Sequence, residues 1–363
     1  MVTILFAYRN RDIERISVLM DSLASQTDTN FEVIFINYGS TLNFSTPIEA
    51  LLRSYTFVKY YYVGHTGLLW NKSKAFNYGI KKSNSPYVLT ADVDLIFNPD
   101  TIQFLNTISA SSSSSFTLFN YGYLAKETSL TEIKQSSFHQ LVPKHYGEVN
   151  GVGLYPKKAL EAIHGFDEFY HFYGSEDEDL FLRLKNAGYQ LLREDEHLFL
   201  HQWHPRYPNN LENKFTTVPR LSNVLRINQK HYFRVADFNM VIPKNQLLWG
   251  NCYTKKDLNI LDNPTRRFEI SNIKSSVTHF LNEELSWHKG EVVAVDFIQD
   301  SNYLSLKSRI KNFIGLKQQP YLKMCSLSDA VLEKIVFNYR HNNYLFCISE
   351  NLKKVTFVID LTK

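Results

Sequence analysis

The sequence predicts an α/β fold in two parts: a larger domain on a mainly parallel sheet with flanking helices, and a smaller α/β accessory domain C-terminal to it. Three observations predict it. Short runs rich in branched and aromatic residues alternate with stretches of helical period as far as about residue 205, the mark of βαβ units. A length of 363 residues allows about two domains. After about residue 225 the pattern changes and Pro243, Pro264 and Pro320 punctuate the chain, so residues 1–225 form the expected first domain and 226–363 the second.

Taken in order, Val2–Tyr8 reads as a strand, and Asp12 caps a helix whose Ile13, Ile16, Met20 and Leu23 recur at helical spacing. Phe31–Asn37 is a second strand, closed by Tyr38, Gly39 and Ser40 as a turn. Ile48, Leu51 and Leu52 mark a helix, Val58–Val63 a third strand, and Asn71–Lys82 a helix that Ser83–Pro86 stops before a strand at Tyr87–Leu89. Pro99 and Asp100 open another helix, the serines Ser111–Ser115 read as a flexible loop, and Phe116–Tyr121 is strand-like. Gly151–Tyr155 follows, then a helix Lys157–Ile163 stopped at Gly165, a helix Glu176–Ala187 ended by Gly188, and an apolar strand Leu198–Leu200. The second domain has strands near Phe268–Ile270, Val292–Phe297, Tyr344–Ile348 and Val355–Leu361, a helix Asp329–Tyr339, and no chemical motif or repeat.

Composition narrows the class. With 44% apolar and 21% charged residues the chain reads as globular and soluble. A net charge of +4 without a dense Lys/Arg tract argues against nucleic acid as a partner, while leaving room for peripheral contact with an anionic membrane. Cys252, Cys325 and Cys347 are odd in number and widely spaced, which fits a reducing compartment better than a disulfide framework. The opening VTILFAYRN starts a strand at once, and no apolar run reaches the eighteen or so residues of a spanning helix. The expected location is cytoplasmic, with peripheral contact at the inner membrane face and homo-oligomerisation both left open.

The chemistry gathers at three places. Asp92 and Asp94 end the Tyr87 strand, where open α/β sheets place their ligands. Two apart on an extended segment, they point the same way, towards one hard cation or its waters, while Val93 points into protein. By themselves they read more readily as a solvated acidic turn. Glu176–Asp179 put four carboxylates at the start of a helix, where the dipole favours them but their mutual repulsion is a cost. His201 and His204 follow the Leu198 strand. A divalent metal held by Asp94 and a histidine, with open positions for phosphate oxygens, and a helix-start carboxylate acting as general base, together suit a displacement in which a diphosphate leaves.

Five stretches then occur in a telling order: FAYRNRD at Phe6, VIFINYG at Val33, WNKSKAFNYGI at Trp70, ADVDLI at Ala91, and NGVGLYPKKALEAIHGFDEFYHFYGSEDEDLFLRL from Asn150. Over about residues 2–205 this set resembles inverting glycosyltransferases of the Rossmann-like GT-A fold, family 2-like, and most closely the β-1,4-galactosyltransferase and chondroitin-polymerase branch. The resemblance implies that Tyr8, Arg9 and Arg11 grip the uridine and diphosphate of the donor, with Trp70 and Lys72 as a second donor contact. It puts Asp92, with Val93 beside it, near the ribose and metal, and Asp94 on Mn²⁺ or Mg²⁺ with His201, or less readily His204. Asp177 matches the catalytic base, with Glu176 beside it; Glu176 and Glu178 orient the acceptor, and Tyr173 stands where the galactosyltransferases keep a mobile tryptophan.

The implied reaction is metal-dependent, inverting transfer of a hexose or N-acetylhexosamine, galactose or N-acetylgalactosamine first, from a UDP-sugar to an oligosaccharide or glycolipid hydroxyl. Bacterial surface polysaccharide or lipopolysaccharide synthesis is the expected setting. Two departures stand out: Asn37, Tyr38, Gly39 and Ser40 replace the Asp-Asp-Gly-Ser turn of many family 2 enzymes, and Tyr173 replaces tryptophan. A nucleotidyltransferase would need a Gly-rich phosphate loop, which FAYRNRD lacks. An inactive, glycan-binding or scaffolding relative is the other alternative.

Overall fold

The computed structural model describes residues 1–110, 113–148, 150–205, 215–244, 248–303, 305 and 320–362. It divides into two compact units: Met1–Val63, Trp70–Tyr207 and Leu225–Cys252 form the first, and Gly64–Leu69, Pro208–Val224 and Tyr253–Lys363 the second. The division differs from a cut at 225/226. Side chains of the helix Val224–Asp237 bond into the first unit, Asn228 to the backbone of His171 and Tyr173 and His231 to Asp167.

The first unit is built on β1 (Val2–Tyr8), β2 (Phe31–Tyr38), β3 (Val58–Val63), β4 (Tyr87–Ala91), β5 (Leu95–Phe97), β6 (Ser115–Phe119), β7 (Tyr121–Tyr123), β8 (His145–Gly147), β9 (Gly153–Pro156), β10 (Gln190–Glu194) and β11 (Phe199–His201). Its helices are α1 (Ile13–Ala24), α2 (Leu42–Leu52), α3 (Lys72–Lys82), α4 (Thr101–Ser109), α5 (Leu130–Gln135), α6 (Lys157–Ala162), α7 (Glu176–Asn186) and α8 (Val224–Asp237). Seven strands form one sheet in the order β10-β6-β9-β4-β1-β2-β3. Within it β9 runs against β4 and β6, and the other pairings are parallel. The mainly parallel expectation holds, with one reversed strand.

β1 is central because both of its faces are apolar: Val2, Ile4, Leu5 and Phe6 are fully buried. Burying each such side chain contributes roughly 1.5–3 kcal/mol. Asp12 caps α1 by accepting from the Glu14 amide at 3.0 Å, and Asn71 caps α3 by accepting from Lys74 at 2.7 Å. β1, β2, β3 and β4 run parallel, so they deliver their carboxyl ends to one edge of the sheet.

A second sheet, in the order β5-β11-β7-β8, continues from that edge. β11 pairs antiparallel with β5, setting His201 opposite Leu95 and Phe199 opposite Phe97. The strand thus lies one residue later than Leu198–Leu200. Of the serine run, Ser111 and Ser112 lie outside the described residues, and Ser115 opens β6 instead of continuing a loop.

The second unit holds β12 (Arg266–Ser271), β13 (Val292–Ile298), β14 (Tyr344–Ile348) and β15 (Lys354–Asp360) in the order β12-β13-β15-β14. α9 (Lys255–Leu261), α10 (Lys274–His279), α11 (Leu285–Trp287) and α12 (Met324–Lys334) accompany them. Leu261, Val292, Ala294 and Val358 pack together there. The segment Gly64–Leu69 belongs to this unit through His65, 2.9 Å from Asn343, and through the Gly67 carbonyl, which accepts from Phe346 at 2.9 Å. No described helix is long and apolar enough to cross a membrane.

Candidate active site

The turn after β1 is fixed by Asn10, whose backbone is left-handed at φ 49°. Its amide donates to Ser40 Oγ at 3.0 Å, and its side-chain oxygen accepts from the Thr41 amide at 3.0 Å, so the β1 and β2 turns are stapled together. Tyr8 is buried, donates its hydroxyl to the Arg11 carbonyl at 2.9 Å, and is raised by burial to about 12. Arg9 stands near enough to Tyr62 to oppose the rise that burial gives that hydroxyl. Arg11 is exposed, and its charge acts on Asp94 and His204. Asn37, in the place of the family's aspartate, is fully buried and structural: its side chain donates to Tyr60 Oη at 2.9 Å and accepts from the Ser40 amide at 3.1 Å.

Asp92 and Asp94 lie on a turn between β4 and β5, not on an extended segment, and they part to different partners. This corrects the expectation of an extended segment: Asp92 faces Lys72, and Asp94 faces the histidines. Asp92 Oδ1 is 3.1 Å from Lys72 Nζ. A Cβ on Gly151 would stand 2.8 Å from Asp92 Oδ2, so only glycine admits that carboxylate where it is. Val93 is buried in the core.

Asp94 gathers both histidines. His204 Nε2 is 3.0 Å from Asp94 Oδ2 and His201 Nε2 is 3.4 Å from Asp94 Oδ1. These three are the cluster of possible metal ligands among the described residues. Burial pushes the Asp94 carboxyl up, but the His204 hydrogen bond and the charges of His201, His204 and Arg11 outweigh it and hold it below the usual range. The bond to Asp94 raises the His204 imidazole. His204 Nδ1 donates to the Pro205 carbonyl at 2.9 Å, which turns Nε2 towards Asp94. His201 ends β11 with its ring stacked on Tyr121 at 5.2 Å. Asp94 Oδ1 is buried without a hydrogen-bond donor, a costly state that a cation would relieve. The residues present therefore fit a divalent metal.

α7 brings its acids to the Lys72 side. Asp177 is partly buried, and its carboxyl is raised well above the ordinary range by burial and by Glu176, Asp92 and Glu178, with Lys72 opposing. Burial works against the Lys72 ammonium, yet Asp177, Asp92 and Glu176 together hold it well above the usual lysine range. Glu176 is buried and accepts from the Gly174 amide at 2.8 Å. Glu178 accepts from Asn150 Nδ2 at 3.4 Å, and burial raises its carboxyl. The fourth acid does other work: Asp179 accepts from Arg183 Nε at 2.7 Å, both fully buried, and Arg183 Nη1 donates to the carbonyls of Ile163 and Gly165.

The loop into α7 is strained: Phe172, Gly174 and Ser175 have φ of 64°, 103° and 66°. Each non-glycine residue there costs roughly 1–3 kcal/mol. Asn228 offsets this by donating to the carbonyls of His171 at 3.3 Å and Tyr173 at 3.0 Å. Tyr173, on this loop, is 47% exposed. Trp70 is partly buried, edge-on to Tyr38 at 6.1 Å, and its carbonyl accepts from Phe172. Asn150, Gly151, Tyr121 and Asn228 are site-shaping residues that the sequence did not single out by role. Asn150 and Gly151 carried a signal, as the first two residues of the motif that runs into α7. A separate hollow of about 520 Å³, lined among others by Asn98, Phe104, Tyr146 and His197, lies at the other end of β11.

Residues 3–118 match the family model described as glycosyl transferase family 2, and residues 133–208 match one described as the N-terminal domain of galactosyltransferase. No curated protein matches the chain. Among solved structures, S. aureus TarS is 18% identical at a TM-score of 0.42, over 56% of this chain and 37% of that one. The mannosyltransferase PcManGT from Pyrobaculum calidifontis, in complex with GDP-Man and Mn²⁺, is 14% identical at 0.41, over 57% and 58%. GalNAc-T7 with UDP, GalNAc and Mn²⁺ is 11% identical at 0.47, over 65% and 48%. The chain thus spans between 37% and 58% of the length of these structures.

Proposed function

We propose that this chain, a nucleotide-sugar glycosyltransferase of the family 2 and galactosyltransferase kind, moves a hexose or N-acetylhexosamine from a UDP-sugar to a glycan hydroxyl with inversion. The observation that carries this reading is the meeting of the β4 end with the α7 start: Lys72 is paired with Asp92 while Asp177 and Glu176 act on the same ammonium. A donor-side residue and a candidate base therefore share one cation. Galactose and N-acetylgalactosamine remain the first donors to test, and a bacterial surface glycan the first acceptor class.

In this reading Asp177 accepts the proton of the acceptor hydroxyl, and its raised carboxyl suits a base that works near neutral pH. The acceptor oxygen bonds to the anomeric carbon as the bond from that carbon to the diphosphate oxygen breaks, and UDP leaves with the electron pair. Attack from the face opposite the diphosphate turns an α-linked donor into a β-glycoside. Arg9 and Arg11 face the donor end and offset its charge, while Lys72 orients Asp92 and Asp177. Asp94, His201 and His204 would hold a divalent ion, and their two imidazoles favour a transition ion such as Mn²⁺ over Mg²⁺. When bound, such an ion supplies Lewis-acid stabilisation of the departing diphosphate. Tyr173 and Glu178 face the acceptor.

The test is UDP release from a panel of UDP-sugars, with Mn²⁺ or EDTA, for the intact chain, Asp94→Ala and Asp177→Asn. One donor should be turned over with metal only. Asp94→Ala should lose about 10²-fold or more, and Asp177→Asn about 10²- to 10⁴-fold in the acceptor-stimulated rate. Turnover that ignores EDTA and both substitutions would sink the reading. UDP-silent behaviour with retained glycan binding would move a glycan-binding role to the front.

A further inference from the structure

α8 has two unlike sides. Val224, Asn228 and Val235 are buried, and Asn228 grips the loop that carries Tyr173. On the opposite side Arg226, Lys230 and Arg234 are exposed at i, i+4 and i+8, which makes one row along the helix. Phe233 stands beside that row at 51% exposure, and just past the helix Phe238 and Ile242 are 71% and 46% exposed. Between Leu225 and Lys244 the sequence holds one acid, Asp237, against Arg226, Lys230, Arg234 and Lys244.

Large apolar side chains projecting from a convex helix, interleaved with cations, do not make the apolar centre and polar rim of a protein interface. They match a layer that is anionic at its surface and apolar just beneath. Long cationic stems can lie along the apolar zone with their heads among phosphates, and aromatic rings favour the same depth. Charge complementarity selects anionic lipid.

We propose that the outer face of α8 docks the catalytic unit on an anionic bilayer, with Phe233, Phe238 and Ile242 entering the interface and Arg226, Lys230 and Arg234 meeting lipid phosphates. Because the inner face of the same helix holds the Tyr173 loop, that loop lies about one helix diameter, ~10–12 Å, from the lipid surface. A lipid-borne acceptor would be met there. That last step rests on the transfer reading; the docking does not.

Flotation of the full chain with phosphatidylcholine vesicles, with and without phosphatidylglycerol, tests it, with UDP release from a soluble donor measured in parallel. Binding should require phosphatidylglycerol and weaken with salt. It should fall about tenfold or more in Lys230→Glu/Arg234→Glu and clearly in Phe233→Ser/Phe238→Ser, with UDP release unchanged in both. No binding, equal binding to pure phosphatidylcholine, or binding that ignores both variants overturns the proposal. If light scattering shows that the variants break a dimer while vesicle binding persists, a second copy of the chain is the occupant and the proposal falls. Loss of UDP release with vesicle binding intact would count against the transfer reading alone.

Discussion

The Lys72 ammonium stands 3.1 Å from the Asp92 carboxylate and is held charged by Asp177 and Glu176 as well. One cation therefore serves carboxylates from two parts of the chain, the turn after β4 and the start of α7. Removing it leaves them facing one another. Lys72→Met should push Asp177 still higher, moving the acid limb of the pH–rate profile upward and lowering kcat/KM at neutral pH roughly ten- to a hundredfold. Lys72→Arg should recover most of it. A pH profile unchanged in Lys72→Met would show that the lysine does not govern the base.

Asp177 gives a sign that can be checked in two ways. Its carboxyl is raised, so a base at this position works only above that elevated value, and transfer should rise with pH to a plateau. For folding the effect runs the other way. The folded state binds the proton more tightly than the unfolded chain, so this contribution is complete below the ordinary carboxyl range and is lost as pH rises through the raised value. Asp177→Asn should therefore raise the melting temperature at neutral pH by a few degrees, about 1 kcal/mol, while lowering transfer about 10²- to 10⁴-fold. A lower melting temperature in metal-free buffer would contradict it.

Gly151→Ala tests the seat of Asp92. The added methyl would stand 2.8 Å from Asp92 Oδ2, so the carboxylate must leave its place or the β9 approach must shift. Donor affinity should drop about tenfold, a cost on the order of 1.4 kcal/mol. Isothermal titration with UDP would report it, and unchanged affinity would show that Asp92 has room to spare.

Arg183 and Asp179 answer to stability, not chemistry. Both are fully buried and bonded at 2.7 Å. Arg183→Ala strands a buried carboxylate and should cost about 3–5 kcal/mol. Arg183→Lys should not rescue it, since one ammonium cannot reach Asp179, Ile163 and Gly165 together. Denaturant melts of the two variants would decide.

Much of the first unit was legible because its strands and helices obey simple periods: β1, β2, β3, α1 and α3 were read within a residue or so of where they stand. The helix Val224–Asp237 was not. Its inward side is apolar at Val224 and Val235 but polar between them at Asn228, which bonds to backbone, and the helix falls where the pattern of the chain changes. In the site, the sequence pairs Asp94 with His201 or, less readily, His204; both stand beside it because β11 ends at His201 and the chain then turns, carrying His204 back towards the same carboxylate. Asp92 and Asp94 alternate in sequence as on a strand, but they lie on a turn and meet different partners. The acids of α7 look alike in sequence. Only the i,i+4 bond to Arg183 marks Asp179 as structural.

The pairing of β11 with β5 has a kinetic meaning. Asp94 and His201 are neighbours in space but about a hundred residues apart along the chain, so their encounter closes a long loop. The candidate cation site is therefore expected to assemble late in folding, after the parallel strands before it. On that order an ion bound there would not seed the fold. It would act as a latch on the finished sheet, slowing its opening and leaving the rate of its formation almost untouched. Manganese should accordingly lengthen the unfolding time of this unit in stopped-flow denaturation without changing the refolding limb.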